Sequence, residues 1–164
     1  MNRVTLLEQL KLFTKEATDN IIMPVRLQNG DTMQGYRAAD IYLMRLKDSS
    51  AAKKKAPYII HQLITGRDIQ PTGENVSASA IVRSIFCVCN DDEEEGSLML
   101  VNLMERLRIC LLRQVVIGKQ FQLDLEAGLE TLIYPDDTAP YFAGEMVSTW
   151  RLPAVTREVM PKWQ

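Results

Sequence analysis

The sequence predicts an α+β fold, an antiparallel or mixed β-sheet packed against one long central helix, with a second helix at the N-terminus. Three observations carry that prediction. Leu100, Leu103, Met104, Leu107 and Leu111 recur at offsets of 0, 3, 4, 7 and 11, one face of a helix. Runs rich in β-branched and aromatic residues flank this segment: "YIIHQLIT" and "ASAIVRSIFCVCN" before it, "FQLDLEA", "LETLIYP" and "YFAGEMVSTWRLP" after it. The strands come in groups around the helix rather than alternating with helices, which suits helices segregated on an antiparallel sheet. The 164 residues contain no repeat, low-complexity block or linker, so a single domain, 1–164, is expected.

Taken in order, Leu6, Leu7, Leu10 and Phe13 have helical spacing, with Lys11, Lys15 and Glu16 elsewhere on the wheel. They predict an N-terminal helix within 1–20, unable to run unbroken past Pro24. Residues 20–57 form an irregular insertion containing the Asn29-Gly30 turn signal, "DIYLMRL" as a short strand, and "DSSAAKKKAP" as a helical turn stopped by Pro57. The sheet-and-helix core is placed at 58–157. Its first strand, "YIIHQLIT", leads into the polar loop "GRDIQPTGENV", long for a hairpin connection. Its second is apolar enough to be covered on both faces.

On the long helix, Leu98, Val101, Cys110 and Leu112 are expected to widen the apolar face, with Asn102, Glu105, Arg106 and Arg113 outside and Gly118 at or beyond the end. The last third reads as a meander. Phe121, Leu123 and Leu125 alternate with polar residues, "DDTAP" turns the chain, and Phe142, Met146, Trp150 and Leu152 share one side of the final strand. Residues 158–164 are a short tail.

Composition narrows the function classes. With 46% hydrophobic and 24% charged residues the chain has the makeup of a soluble domain, and a net charge of −2 gives no long-range pull toward nucleic acid. A domain of this length buries roughly 70% of its unfolded surface, enough to fold without disulfide or metal. Three cysteines, an odd number, and a charged N-terminus fit reduced thiols and an intracellular product. No apolar run approaches the roughly 20 residues that cross a bilayer, and no membrane partner is expected.

The acids Asp91, Asp92, Glu93, Glu94 and Glu95 run straight into the long helix. Asp92 and Glu95 have capping-box spacing, and the others lie near the positive end of the helix dipole; Ser97 is the alternative cap. Five adjacent carboxylates cannot converge on one ion, whose ligands come from spaced positions. They read as an exposed helix entrance and a candidate protein interface. Cys87, Cys89, Cys110 and His61 lack paired zinc-ligand spacing, so neither a metal nor a cofactor is expected. His61, the only imidazole, has no nucleophile elbow or metalloprotease motif to serve. "YPDD" is followed by no catalytic lysine, which removes a nuclease reading. Lys53, Lys54 and Lys55, the one basic run, have no interleaved aromatics to stack bases and are the second candidate interface. No catalytic constellation assembles, and a non-enzymatic interaction protein is expected.

The whole pattern then resembles a known family. A helix precedes an edge strand after a proline, "APYIIHQLITG"; a strand ends in an acidic turn, "VRSIFCVCNDDEEEG"; the long helix "LMLVNLMERLRICLLRQ", a strand pair and a closing "PYFAGEMVSTWRLPAV" follow. Over roughly residues 55–157 this is similar, in element order and texture, to the tail-terminator and head–tail joining proteins of long-tailed bacteriophages and prophages. The resemblance implies a structural virion protein at the head-proximal end of the tail. It implies a ring, commonly a hexamer, that stops tube polymerisation and meets the tail tube protein and the head connector, with DNA passing through the hole. Alternatives are another head-completion or minor tail protein, or a small nucleic-acid-binding module.

Overall fold

The computed structural model describes residues 2–27, 30–46, 55–135 and 139–158. Helix α1 (Arg3–Thr18) starts at Asn2, whose side chain accepts from the Thr5 backbone N–H at 3.0 Å, satisfying one of the donors a helix start leaves free. It buries Leu6, Leu7 and Leu10 as expected, and continues the stripe with Thr14 and Thr18. Helix α2 (Glu93–Gln114) is capped by Asp92, which accepts from Glu95 N–H at 2.9 Å; Ser97 lies inside the helix, its hydroxyl donating to the Glu93 carbonyl. The fold class is α+β, with seven strands in one mixed sheet.

The insertion is more ordered than its composition suggests. Strands β1 (Met23–Pro24) and β2 (Tyr36–Arg37) form a small antiparallel ribbon, and β3 (Asp40–Leu43) joins the main sheet. Strand β3 runs parallel to β4 (Tyr58–Ile69), so β4 is an interior strand and not the edge strand expected. The core likewise extends outside 58–157: Leu6, Leu7, Leu10, Met23 and Ile41 belong to the main hydrophobic cluster. Asn29, the turn proposed around residues 47–54, Asp136–Thr138 and residues 159–164 lie outside the described residues.

Strand β4 pairs with β5 (Ser77–Cys89) from Tyr58↔Cys87 to Ile69↔Ser77, with a bulge between Leu63 and Thr65. The connecting loop is therefore only 70–76. Residues Gly66–Ile69, read as loop, are strand, because the ladder to Ser77–Ala80 supplies their backbone hydrogen bonds while their side chains stay exposed. Strand β5 is not covered on both faces throughout. It alternates buried and half-buried from Ala78 to Ile85, and only Phe86–Cys89 are buried on both sides.

The last strand, β9 (Tyr141–Leu152), lies beside β5 over Ala78↔Leu152 to Cys89↔Tyr141. The meander expected here does not form. Strands β7 (Phe121–Leu123) and β8 (Leu129–Ile133) do not pair with each other; both lie along the other side of β9, end to end. Leu123 opposes Trp150 and Leu129 opposes Ser148, so residues 124–128 bulge out against Thr149. The Asp124 carboxylate organises that bulge by accepting from Glu126 N–H and Ala127 N–H at 3.1 and 3.2 Å. This local competition ends β7 early and leaves Leu125, expected inside, exposed. Strand β6 (Val116–Ile117) completes the order β3-β4-β5-β9-β7-β6.

Helices α1 and α2 cover one face of this sheet, sealing Trp150, Phe86, Phe121 and Ile59 beneath them against Leu103 and Leu107 of α2. Within that core sits a polar chain. His61 is fully buried, with Nε2 2.8 Å from Thr14 Oγ1 on α1 and Nδ1 2.7 Å from Ser84 Oγ on β5. Both ring nitrogens are thus engaged, which tethers α1 to two strands at once.

Burial pushes the His61 pKa down to about 3. The unfolded chain takes up the proton first, near the ordinary pKa of about 6.5, so His61 stabilises the fold fully above that pH. Its contribution is lost as the pH falls from about 6.5 toward 3, at up to about 1.4 kcal/mol per pH unit. Urea midpoints measured from pH 7 to pH 4 are expected to fall in the wild type. The slope in His61→Gln, which cannot titrate, is expected to be smaller.

Candidate functional site

The end of β5 delivers the acidic turn to the rim of a cleft. Asn90 N–H donates to the Pro140 carbonyl at 2.9 Å, and Asn90 Oδ1 accepts from Asp92 N–H at 2.9 Å, fixing the turn between strand and helix. Asp91, Asp92, Glu93, Glu94 and Glu95 are all exposed. Glu93, Glu94 and Glu95 occupy the first turn of α2, where the helix dipole favours negative charge. No ion pair joins any of the five to a cation among the described residues.

The cleft is about 460 Å³. Asp91, Glu95 and Met99 line one side; Pro24, Val25, Arg26 and Tyr36 of the ribbon line the other, with Cys89 and Pro140 also contributing. Gln34 closes the ribbon by donating from Nε2 to the Val25 carbonyl. Arg26 donates from Nη1 to Tyr141 Oη at 2.7 Å, and its guanidinium carbon stands 5.8 Å from the centre of that ring. One side of the cleft therefore carries a cation and the other two carboxylates. Burial pushes the Cys89 thiol up, the Asp91 charge adds to this, and Arg26 opposes it. This is a thiol held in its neutral form, not an activated nucleophile.

Of the basic run, Lys53 and Lys54 lie outside the described residues. Lys55 sits at the end of the sheet from which β5 leaves for the acidic turn, since Tyr58 opposes Cys87. Its carbonyl accepts from Arg37 Nη2 at 2.6 Å. Lys55 and the acids thus share one end of the molecule, although no ion pair joins them among the described residues.

The four residues weighed as zinc ligands are dispersed. His61 turns into the helix-covered face, whereas Cys87 and Cys89 belong to a smaller apolar cluster with Tyr58, Ile60 and Tyr141. Cys110 is half-buried on α2, in a separate groove between the helices. Among the described residues, no group of three or more His, Cys, Asp or Glu is placed to hold a metal ion, and no helix is long and apolar enough to cross a membrane.

Sequence reasoning missed Arg26, Tyr141 and Gly96. Arg26 lies in a stretch without periodicity, and its partner is far along the chain. Gly96 stands inside a helix where alanine is ordinarily better by about 1 kcal/mol. Here a Cβ would lie 2.3 Å from Phe142 Cε2 and 3.0 Å from Asn90 Cβ. Glycine lets the first turn of α2 close onto β9 and so places the acids. No protein-family model matches this chain, and a search of the curated proteins finds no match.

Gly96→Ala is therefore expected to destabilise the protein by about 1–3 kcal/mol through overpacking, against its helix-propensity gain. Urea unfolding measures this. Adding Phe142→Leu to the same chain is expected to recover part of the loss.

Proposed function

We propose that this chain is a structural assembly protein of a long-tailed phage or prophage particle, the tail terminator at the head-proximal end of the tail tube. It closes into a ring, commonly a hexamer, that ends tube growth and presents a surface to the head connector, and DNA passes through the hole. Its work is fitting against copies of itself and its neighbours, with no covalent chemistry.

The observation that carries this reading is the pair of unlike open edges on one sheet. Among the described residues, β3 at one side pairs only with β4; at the other, β8 pairs only with β9 and exposes Leu132 and Ile133 by 51% and 44%. A head-to-tail ring needs two different complementary patches on each protomer, and closing the ring caps growth that would otherwise continue as a filament. Exposed strand edges supply such patches because their backbone groups accept a further strand. The acids at the start of α2 add an electrostatic element to the end of the molecule where β4 begins and β5 and Lys55 meet. Their carboxylates suit basic groups of a neighbour, or a hole wall to which DNA does not adhere. Element order, as compared above with tail terminators, supports the same reading.

Electron microscopy of particles made without the chain is expected to show tails of uncontrolled length, or filled heads with unattached tails. Normal virions would overturn the proposal. Reversing Asp92, Glu93 and Glu94 to Lys is expected to impair ring formation, tail length control or DNA ejection. If all three stay normal, the acidic strip has no part in assembly.

A further inference from the structure

Helix α2 has two apolar faces, and only one has a partner. Gly96, Leu100, Leu103, Met104, Leu107 and Leu111 are buried on the sheet. Leu98, Val101 and Leu112 were expected to broaden that face, but they are exposed by 63%, 41% and 38%, and Ile109 is exposed by 38%. At about 100° per residue they fall on the far side of the wheel from the core, Leu98 and Ile109 opposite its centre and Val101 and Leu112 toward one flank. Glu105 lies on the same line.

The stripe from Leu98 through Val101, Glu105 and Ile109 to Leu112 advances in steps of 3, 4, 4 and 3 residues. The series reads the same in both directions, with Glu105 at its centre. Leu98 and Leu112 are equidistant from that centre, and so are Val101 and Ile109. At 1.5 Å per residue the stripe is about 21 Å long.

We propose that this outer face of α2 is a self-association site, on which two copies of the chain pair their helices antiparallel about a two-fold axis at Glu105. Such pairing sets Leu98 of each copy against Leu112 of the other, and Val101 against Ile109. Residues matched in size and chemistry meet at every apolar step. Self-complementarity of this kind is what an isologous interface requires, and an unrelated helix would place no such demand on the spacing.

The charges at the axis fit the same occupant. Each Glu105 carboxylate is already held by its own Arg108, whose Nε and Nη2 donate at 2.8 and 2.6 Å. Two copies bring together two carboxylates and two guanidinium groups, a neutral centre in which each Glu105 can reach both arginines. Five residues are few beside the roughly 20–30 a side of a standard interface, so the pair is weak and concentration-dependent. It closes at two copies and is independent of the ring proposed above.

Sedimentation over a range of concentrations tests the association. Away from the tail tube, on which the proposed ring forms, a monomer–dimer equilibrium is expected in the wild type, and a monomer in Leu98→Glu and Leu112→Glu, with the circular dichroism spectrum unchanged. The register is tested by oxidation in a Cys110→Ser background. Facing positions on helices about 8–10 Å apart lie within disulfide reach, so Glu105→Cys is expected to cross-link to itself. Leu98→Cys is expected to cross-link only when mixed with Leu112→Cys. A wild-type chain monomeric at every concentration overturns the inference. So does Leu98→Cys linking to itself as readily as to Leu112→Cys. A larger oligomer that survives Leu98→Glu, with no dimer, also overturns it and favours the ring alone.

Discussion

The long antiparallel pairing of β5 with β9 is the constraint on which the other elements rest. Each strand is flanked on both sides, β5 by β4 and β9 by β7 and β8, so the pair is the spine of the sheet. One face of that spine supplies Val82, Phe86, Met146 and Trp150 to the core under the helices. The end of the spine at Cys89 and Tyr141 positions everything in the candidate site. Asn90 leaves β5 there toward the acids, Pro140 enters β9 there, and Tyr141 receives Arg26 from the ribbon.

Polar groups inside the core are satisfied in pairs that cross elements. His61 joins α1 to β4 and β5, and Ser148 Oγ of β9 accepts from Trp150 Nε1 at 2.9 Å and donates to the Val82 carbonyl of β5 at 3.5 Å. A buried polar group without a partner costs about 1–3 kcal/mol, so each such bond also penalises misplacement of the element that carries it. These links specify the docking of α1 more sharply than its leucines, which could slide along an apolar surface. The result is a firm platform beneath an otherwise open sheet, whose other face is only partly covered by the cluster around Tyr58, Ile60 and Cys87.

Surfaces that look alike in sequence serve different ends here. The residues of α2 at one helical phase are sealed against β5 and β9, while those at the opposite phase face outward around the Glu105–Arg108 pair. A chain with the proposed assembly role must bury enough to fold alone and keep enough exposed to recognise a neighbour. The open edges of β3 and β8, the acidic start of α2 and the outer stripe of the same helix are where this molecule keeps its exposed part.

Local pattern by itself determined the two helices and the strands from Tyr58, Ala78, Leu129 and Tyr141, and offered Asp92 beside Ser97 as the cap, because those signals are local: leucines one turn apart, a side chain three residues from an N–H, alternation along a strand. The candidate acids were legible for the same reason, as a charge run abutting a helix start. Tertiary structure alone decided that β3 lies outside β4, that β7 and β8 share one side of β9, and that Gly66–Ile69 are strand. Each of these depends on hydrogen bonds to residues distant in the chain, and local composition carries no record of the partner. The inward face of α2, Leu100, Leu103, Met104, Leu107 and Leu111, was legible from spacing, but only the sheet decided that Leu98, Val101 and Leu112 stay outside it, because spacing along a helix does not say how far round it the sheet reaches.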